Sequence, residues 1–217
     1  MVVAFQGVPP GLCRRVGGGI EGGLLAGVVQ AKPKERLAEL GCGCGDVAVR
    51  VALANPGVVI DALELRPGLC ALARKVVRDH GLCDRVRVVQ GDVRALPASM
   101  TMGGYDQVFC NPPFFAPHAH RLSPDPDRAA ARCELAGGLD DFLGAAVVLL
   151  QAGGTVHVVH RPERLSDLME GCVRQGLTVT RLRRVVEPHR QRTVLVLMTA
   201  CKKRGEGVGW VEEWIGL

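Results

Sequence analysis

From Leu37 onward the chain alternates short apolar runs with stretches of helical character, a pattern that repeats with little interruption to residue 200. The runs 36–40, 58–64, 85–90, 105–110, 154–160, 177–186 and 192–200 read as strands, and 46–54, 67–80, 93–97, 139–151 and 162–175 read as helices. Strands alternating with helices are the signature of βαβ units, which require a mostly parallel sheet covered by helices on both faces. The expected architecture is therefore α/β and Rossmann-like. One domain over 1–217 is expected, with a glycine-rich cover segment at 1–35, the core at 36–200 and a tail at 201–217. In such sheets ligands gather outside the carboxyl ends of the strands, so the residues that follow each strand carry the functional information.

The first predicted strand ends in Glu39-Leu40-Gly41-Cys42-Gly43-Cys44-Gly45-Asp46 and runs straight into a predicted helix. Alternate glycines allow a tight turn and let a ligand approach bare backbone in front of the helix N–H groups. A nicotinamide-binding loop needs a glycine where this chain has Asp46, which argues against a dehydrogenase. The next strand ends at Glu64, about twenty residues on, where a carboxylate accepts both hydroxyl hydrogens of a ribose. Asp61 competes with it but falls inside the strand. After the third strand comes Asp92, a further acid at the carboxyl end of a strand.

The fourth strand is followed by Asn111-Pro112-Pro113-Phe114. The Asn111 amide oxygen and the Pro112 carbonyl are acceptors, and Pro112 has no N–H to compete. Two such acceptors hold both hydrogens of an exocyclic amine and localise its lone pair, while Phe114 offers a face for a base to stack on. No general base is then required.

In this order, glycine loop, Glu64, Asp92 and Asn-Pro-Pro-Phe resemble the class I S-adenosylmethionine-dependent methyltransferases. The resemblance implies S-adenosylmethionine as cofactor, with Glu39, Gly41, Gly43, Gly45, Glu64, Leu65, Asp92, Val93 and Asn111 around it, and Asn111, Pro112, Pro113 and Phe114 at the reacting amine. It also implies a seven-stranded sheet whose last strand is antiparallel. Within that class the chain resembles bacterial valine-tRNA (adenine-N6)-methyltransferases, on Cys110 to Phe115, the Arg128 to Arg132 segment and His160 to Leu165. The implied substrate is adenine N6 in tRNA near the anticodon. Ribosomal-RNA guanine-N2 and protein glutamine methyltransferases share the tetrapeptide, and a non-enzymatic RNA-binding module or a small-molecule methyltransferase are the readings from other classes.

Composition adds compartment and partners. The 47% hydrophobic content supports a full core, and the longest apolar run, Ala145–Leu150, is far too short to span a bilayer. Met1–Phe5 lacks a signal-peptide pattern, and nine cysteines without regular spacing suit reduced thiols, so a cytoplasmic protein is expected. Cys42 and Cys44 read as small spacers, His118 and His120 as loop residues, and no metal is expected. Between Arg181 and Arg204 eight basic residues face the single acid Glu187, a net +7, and with Arg14 and Arg15 they form the expected phosphate-contacting patch for RNA. Residues 11–27 contain seven glycines, which predicts a weak helix and a mobile cover, and 115–138, with Arg128 and Arg132, reads as the substrate-facing loop.

Overall fold

The structure is a computed structural model, and it describes residues 19–113, 137–187, 192–202 and 211–216. In chain order the described elements are α1 (Ile20–Val28), β1 (Arg36–Leu40), α2 (Asp46–Ala54), β2 (Val59–Glu64), α3 (Pro67–Asp79), β3 (Val86–Gln90), β4 (Tyr105–Cys110), α4 (Leu139–Leu149), β5 (Leu150–His160), a 3-10 turn (Pro162–Arg164), α5 (Leu165–Arg174), β6 (Thr178–Glu187), β7 (Arg192–Cys201) and β8 (Val211–Gly216). The strands form one sheet in the order β3-β2-β1-β4-β5-β7-β6-β8.

Strand periodicity sorts the side chains into two cores. Ala38, Leu40, Leu63, Val108, Cys110, Val156 and Val158 pack with α4 and α5 on one face. Leu37, Ile60, Ala62, Phe109 and Val159 pack with α1, α2 and α3 on the other. Both faces of the central strands are therefore covered, which is why they read as nearly continuous apolar runs.

The chain starts at β1, steps outward to β2 and β3, and returns to lay β4 on the other side of β1. That reversal opens a crevice at the carboxyl ends of β1 and β4. Register brings the ends together, with Leu40 opposite both Leu63 and Cys110, so Gly41, Glu64 and Asn111 share one edge of the sheet.

Several expectations need correction. The described sheet has eight strands, and its last strand is parallel to its neighbour: β8 pairs with β6 in parallel. The antiparallel strand is β7, which lies between β5 and β6 and makes both antiparallel pairs. β8 was hidden because Val-Glu-Glu-Trp-Ile is short, lacks the strict apolar–polar alternation of a strand and follows a glycine-containing stretch. Residues 93–97 form no helix. The Asp92 carboxylate accepts the backbone N–H of Arg94 at 2.9 Å and closes a local turn, and Pro97 cannot donate to a helix ladder.

The cover segment is corrected in part. Its residues 20–28 are a helix built into the core, with Leu25 wholly buried and Leu24 nearly so. Gly22 is what admits it, since a Cβ there would stand 3.0 Å from the Val47 side chain of α2. The glycines cost helix propensity but allow close packing, and packing dominates. Residues 1–18, including Arg14 and Arg15, lie outside the described residues.

Candidate active site

The loop between β1 and α2 is held by its own glycines. Gly41, Gly43 and Gly45 all have positive φ, at 72°, 56° and 82°, in the left-handed region where a Cβ is strained. Their surroundings differ. A Cβ on Gly41 would lie 3.2 Å from the Phe142 ring of α4, and one on Gly45 would lie 3.2 Å from Ala73 of α3. On Gly43 it would meet nothing within 4 Å. The outer glycines therefore seat the loop against two helices, and the middle one presents bare backbone to open space.

Glu64 fixes this arrangement. One of its carboxylate oxygens accepts the Gly43 N–H at 2.8 Å and the other accepts the Arg66 N–H at 3.0 Å, with the Arg66 guanidinium at 3.4 Å. The oxygen bound by Gly43 retains a second lone pair for a ribose hydroxyl, while the other is shared between the two Arg66 donors, of which the guanidinium at 3.4 Å is the longer contact. Asp61, the competitor, is removed to a separate network, where it accepts from the Tyr105 hydroxyl at 2.6 Å and from Arg87 at 2.7 Å.

Asp92 lies just past β3 and is gripped by Arg94, whose Nη2 is 2.6 Å from Oδ2 and whose Nε reaches both oxygens. That pairing pulls the Asp92 carboxyl below its ordinary value. Val93 is turned into the core against α4's cluster, and Leu65 is half-buried beside Glu64.

Two acceptors in the site stand out. Asn111, one residue past β4, buries its side-chain oxygen with no hydrogen-bond partner among the described residues. Glu39, on β1, does the same with Oε2. Orphaned buried acceptors are rare because each forfeits a hydrogen bond to water, and these two lie near the carboxyl ends of neighbouring strands of the sheet. Burial pushes the Glu39 carboxyl up to about 8, with neighbouring Asp46 and Glu64 adding to the rise and the Ala48 N–H opposing it. Pro112 is buried and Pro113 half-buried beside Asn111, whereas Phe114, His118, His120, Arg128 and Arg132 lie outside the described residues.

Cys42 and Cys44 are buried spacers. Burial next to the Glu39 and Glu64 carboxylates drives the Cys42 thiol well above its ordinary range, which makes it a poor nucleophile. Among the described residues no cluster of three or more His, Cys, Asp or Glu side chains is arranged to hold a metal ion. His160, the last residue of β5, is fully buried, accepts the Arg161 N–H on Nδ1 at 2.9 Å, and is pushed down to about 4 by burial.

Sequence reasoning missed Phe142 under Gly41, Arg94 on Asp92 and the Asp46–Arg50 pair, 2.9 Å apart, beneath the loop. Of these, only the four-residue spacing of Asp46 and Arg50 on one helix was a readable signal.

The described cations of the basic stretch have partners within the protein. Arg183 and Arg181 pair with Glu213 at 2.8 and 3.6 Å, and Arg184 pairs with Glu212 while lying over the Trp214 ring. Arg192 reaches Glu163 at 3.6 Å, and Lys202 donates to the carbonyls of Val147 and Leu150 at 2.6 Å. These cations are engaged within the protein, three of them because β8 brings acids from beyond Arg204 back onto the stretch. Arg190, Lys203 and Arg204 lie outside the described residues.

Residues 20–183 match the family described as the methyltransferase small domain. The chain belongs to that family. Among curated proteins, this family member is 31% identical over 144 residues to a ribosomal protein uL3 glutamine methyltransferase of Bordetella pertussis, covering 63% of this chain and 47% of that one. It is 30% identical over 159 residues to a tRNA1(Val) (adenine(37)-N6)-methyltransferase of Yersinia enterocolitica, covering 73% and 62%. The matched region thus spans about half to three fifths of the length of these relatives. In fold the methyltransferase domain is similar to the crystal structure of a predicted O-methyltransferase from Agrobacterium tumefaciens, with a TM-score of 0.71 at 19% identity, covering 89% of this chain and 86% of that one.

The fold is that of the class I methyltransferases, and S-adenosylmethionine is the cofactor it serves. The residues present fit it. Bare backbone at Gly43, the anchored Glu64 and the orphaned Glu39 acceptor suit a ligand that carries a diol and positive charge.

Proposed function

We propose that this methyltransferase acts on the exocyclic N6 amine of an adenine in tRNA, near the anticodon. The observation that carries the reading is the Asn111 side-chain oxygen, buried and without a partner among the described residues, at the strand end next to the glycine loop. When bound, S-adenosylmethionine supplies an electrophilic methyl group. Asn111 and the Pro112 carbonyl accept the two amine hydrogens, so the nitrogen lone pair is localised and pointed away from the ring. Positioning and electrostatics then provide most of the acceleration. The surplus proton on nitrogen leaves to water once the new bond has formed. Phe114 is proposed as the stacking face for a flipped base, and Glu39, Gly41, Gly43, Gly45, Glu64, Leu65, Asp92 and Val93 as the cofactor's surroundings.

A glutamine side-chain amide presents the same planar nitrogen, and the likeness to the Bordetella enzyme supports that second reading. Engagement of the basic strand by β8 also withdraws one argument for RNA. Labelled methyl donor offered separately to total RNA and to ribosomal proteins, followed by nucleoside and amino-acid analysis, decides between them. N6-methyladenosine from tRNA is expected. N2-methylguanosine or methylglutamine would move the substrate to the other base or to protein, and no transfer to any of them would overturn the proposal.

A further inference from the structure

The glycine loop sits on three buried acids. Glu39 on β1, Asp46 in the first turn of α2 and Glu64 at the end of β2 are each no more than 5% exposed. Two of them are balanced. Asp46 has Arg50 at 2.9 Å, and Glu64 has Arg66 and two backbone N–H groups. Glu39 forms no ion pair among the described residues. One side of its carboxyl is served by the Ala48 N–H, and Oε2 is buried without a partner. The other titratable groups that face it are Asp46 from α2, Glu64 from β2, the Cys42 thiol of the loop and the Cys110 thiol of β4. None of these is a cation.

An ionised Glu39 would be a third buried negative charge with half its hydrogen bonds unmade. Protonation removes the charge, and so would a cation brought in from outside. S-adenosylmethionine brings a sulfonium and an ammonium, whereas its demethylated product keeps the ammonium and replaces the sulfonium with a neutral thioether.

We propose that Glu39 is a proton-coupled counter-ion that reads the charge of the cofactor, holding a proton in the cofactor-free protein and releasing it to solvent when S-adenosylmethionine binds. After methyl transfer the sulfonium charge is gone, and Glu39 takes a proton back from solvent. The product is thereby held less firmly than the cofactor. Burial, which lifts the Glu39 carboxyl to about 8, places the exchange near neutral pH. This coupling holds whichever amine accepts the methyl group.

The test is titration calorimetry at pH 7 in two buffers of different ionisation enthalpy, with S-adenosylmethionine and S-adenosylhomocysteine on the wild-type protein and on Glu39→Gln. The wild type is expected to release more protons with S-adenosylmethionine than with the product. That excess is expected to vanish in Glu39→Gln, where the ligands' own amino groups still contribute. Each unit by which the cofactor depresses the carboxyl gives about a tenfold gain in wild-type affinity on raising the pH, relative to the variant. Equal proton counts in the two proteins would overturn the proposal. A variant that does not bind is bypassed by difference infrared spectroscopy of the wild type, where a protonated-carboxyl band should disappear on cofactor addition and an unchanged band refutes the coupling. Absence of binding by either ligand to the wild type would instead remove the cofactor assignment itself.

Discussion

Asn111 and Gly43 show how little side-chain chemistry the proposed reaction asks of the protein. At Asn111 a buried acceptor stands without a donor among the described residues, a cost that the proposed substrate amine would offset by completing the bond. Replacing it by alanine is expected to lower methyl transfer about a hundredfold or more while cofactor affinity, read by calorimetry, is retained. Transfer within a few-fold of wild type would remove Asn111 from the reaction. For Gly43→Ala, no atom blocks the added methyl, but the positive φ costs about 1–2 kcal/mol and the Cβ occupies the open space in front of the backbone. Cofactor affinity should therefore fall by more than the loss in thermal stability explains. Gly45→Ala adds contact with Ala73 to the same strain, so there the stability loss itself should dominate.

At the scale of elements, β8 is the least anticipated feature. It occupies the sheet edge beyond β6, most of its residues are exposed, and its acids sit on three arginines of its neighbour. Exposed ion pairs of this kind contribute roughly 0–1 kcal/mol each. Converting Glu212 and Glu213 together to glutamine is thus expected to leave the global unfolding midpoint almost unchanged while speeding amide exchange at 211–216. Unchanged exchange would mean that backbone pairing alone holds the strand. Neutralising Arg183 and Arg184 is expected to perturb β8 first and any RNA contact only secondarily. Helix α1 carries the converse lesson, because its glycine content argued for weakness while its tertiary contacts made it part of the core.

For the molecule as a whole, buried groups with displaced pKa values set the pH profile. His157 is held neutral by burial, its Nε2 3.0 Å from the Gln107 oxygen, and it and His160 both fall to about 4 from an ordinary 6.5. Below pH 6.5 the unfolded chain takes up protons that these two rings refuse, so stability declines as pH falls from 6.5 towards 4. Glu39 acts in the opposite sense. Its folded carboxyl, at about 8 against an ordinary 4.5, binds a proton that the unfolded chain has lost, so its contribution is present at low pH and disappears as pH rises from 4.5 through 8. Two histidines outweigh one glutamate below 6.5, and the glutamate alone acts above it. Cofactor-free stability is expected to peak near pH 6.5, and in denaturant titrations Glu39→Gln should flatten the alkaline side and steepen the fall between pH 6.5 and 4.5. A wild-type plateau from pH 6.5 to 8 would contradict this account.

The hydrophobic rhythm by itself determined the α/β class, seven of the strands and the order in which Glu39, the glycines, Glu64, Asp92 and Asn111 meet the sheet edge. Those features are legible because they depend on local period and on residues adjacent to strand ends. Only the tertiary structure decided the rest. The insertion of β7 between β5 and β6, the docking of β8 and the engagement of the basic stretch depend on which distant segments pair, and local sequence carries no record of pairing. Phe142 beneath Gly41, a hundred residues away, is a contact of the same kind. Identity of the acids was in the sequence, but which of them found a counter-ion and which was left buried without one was settled by packing.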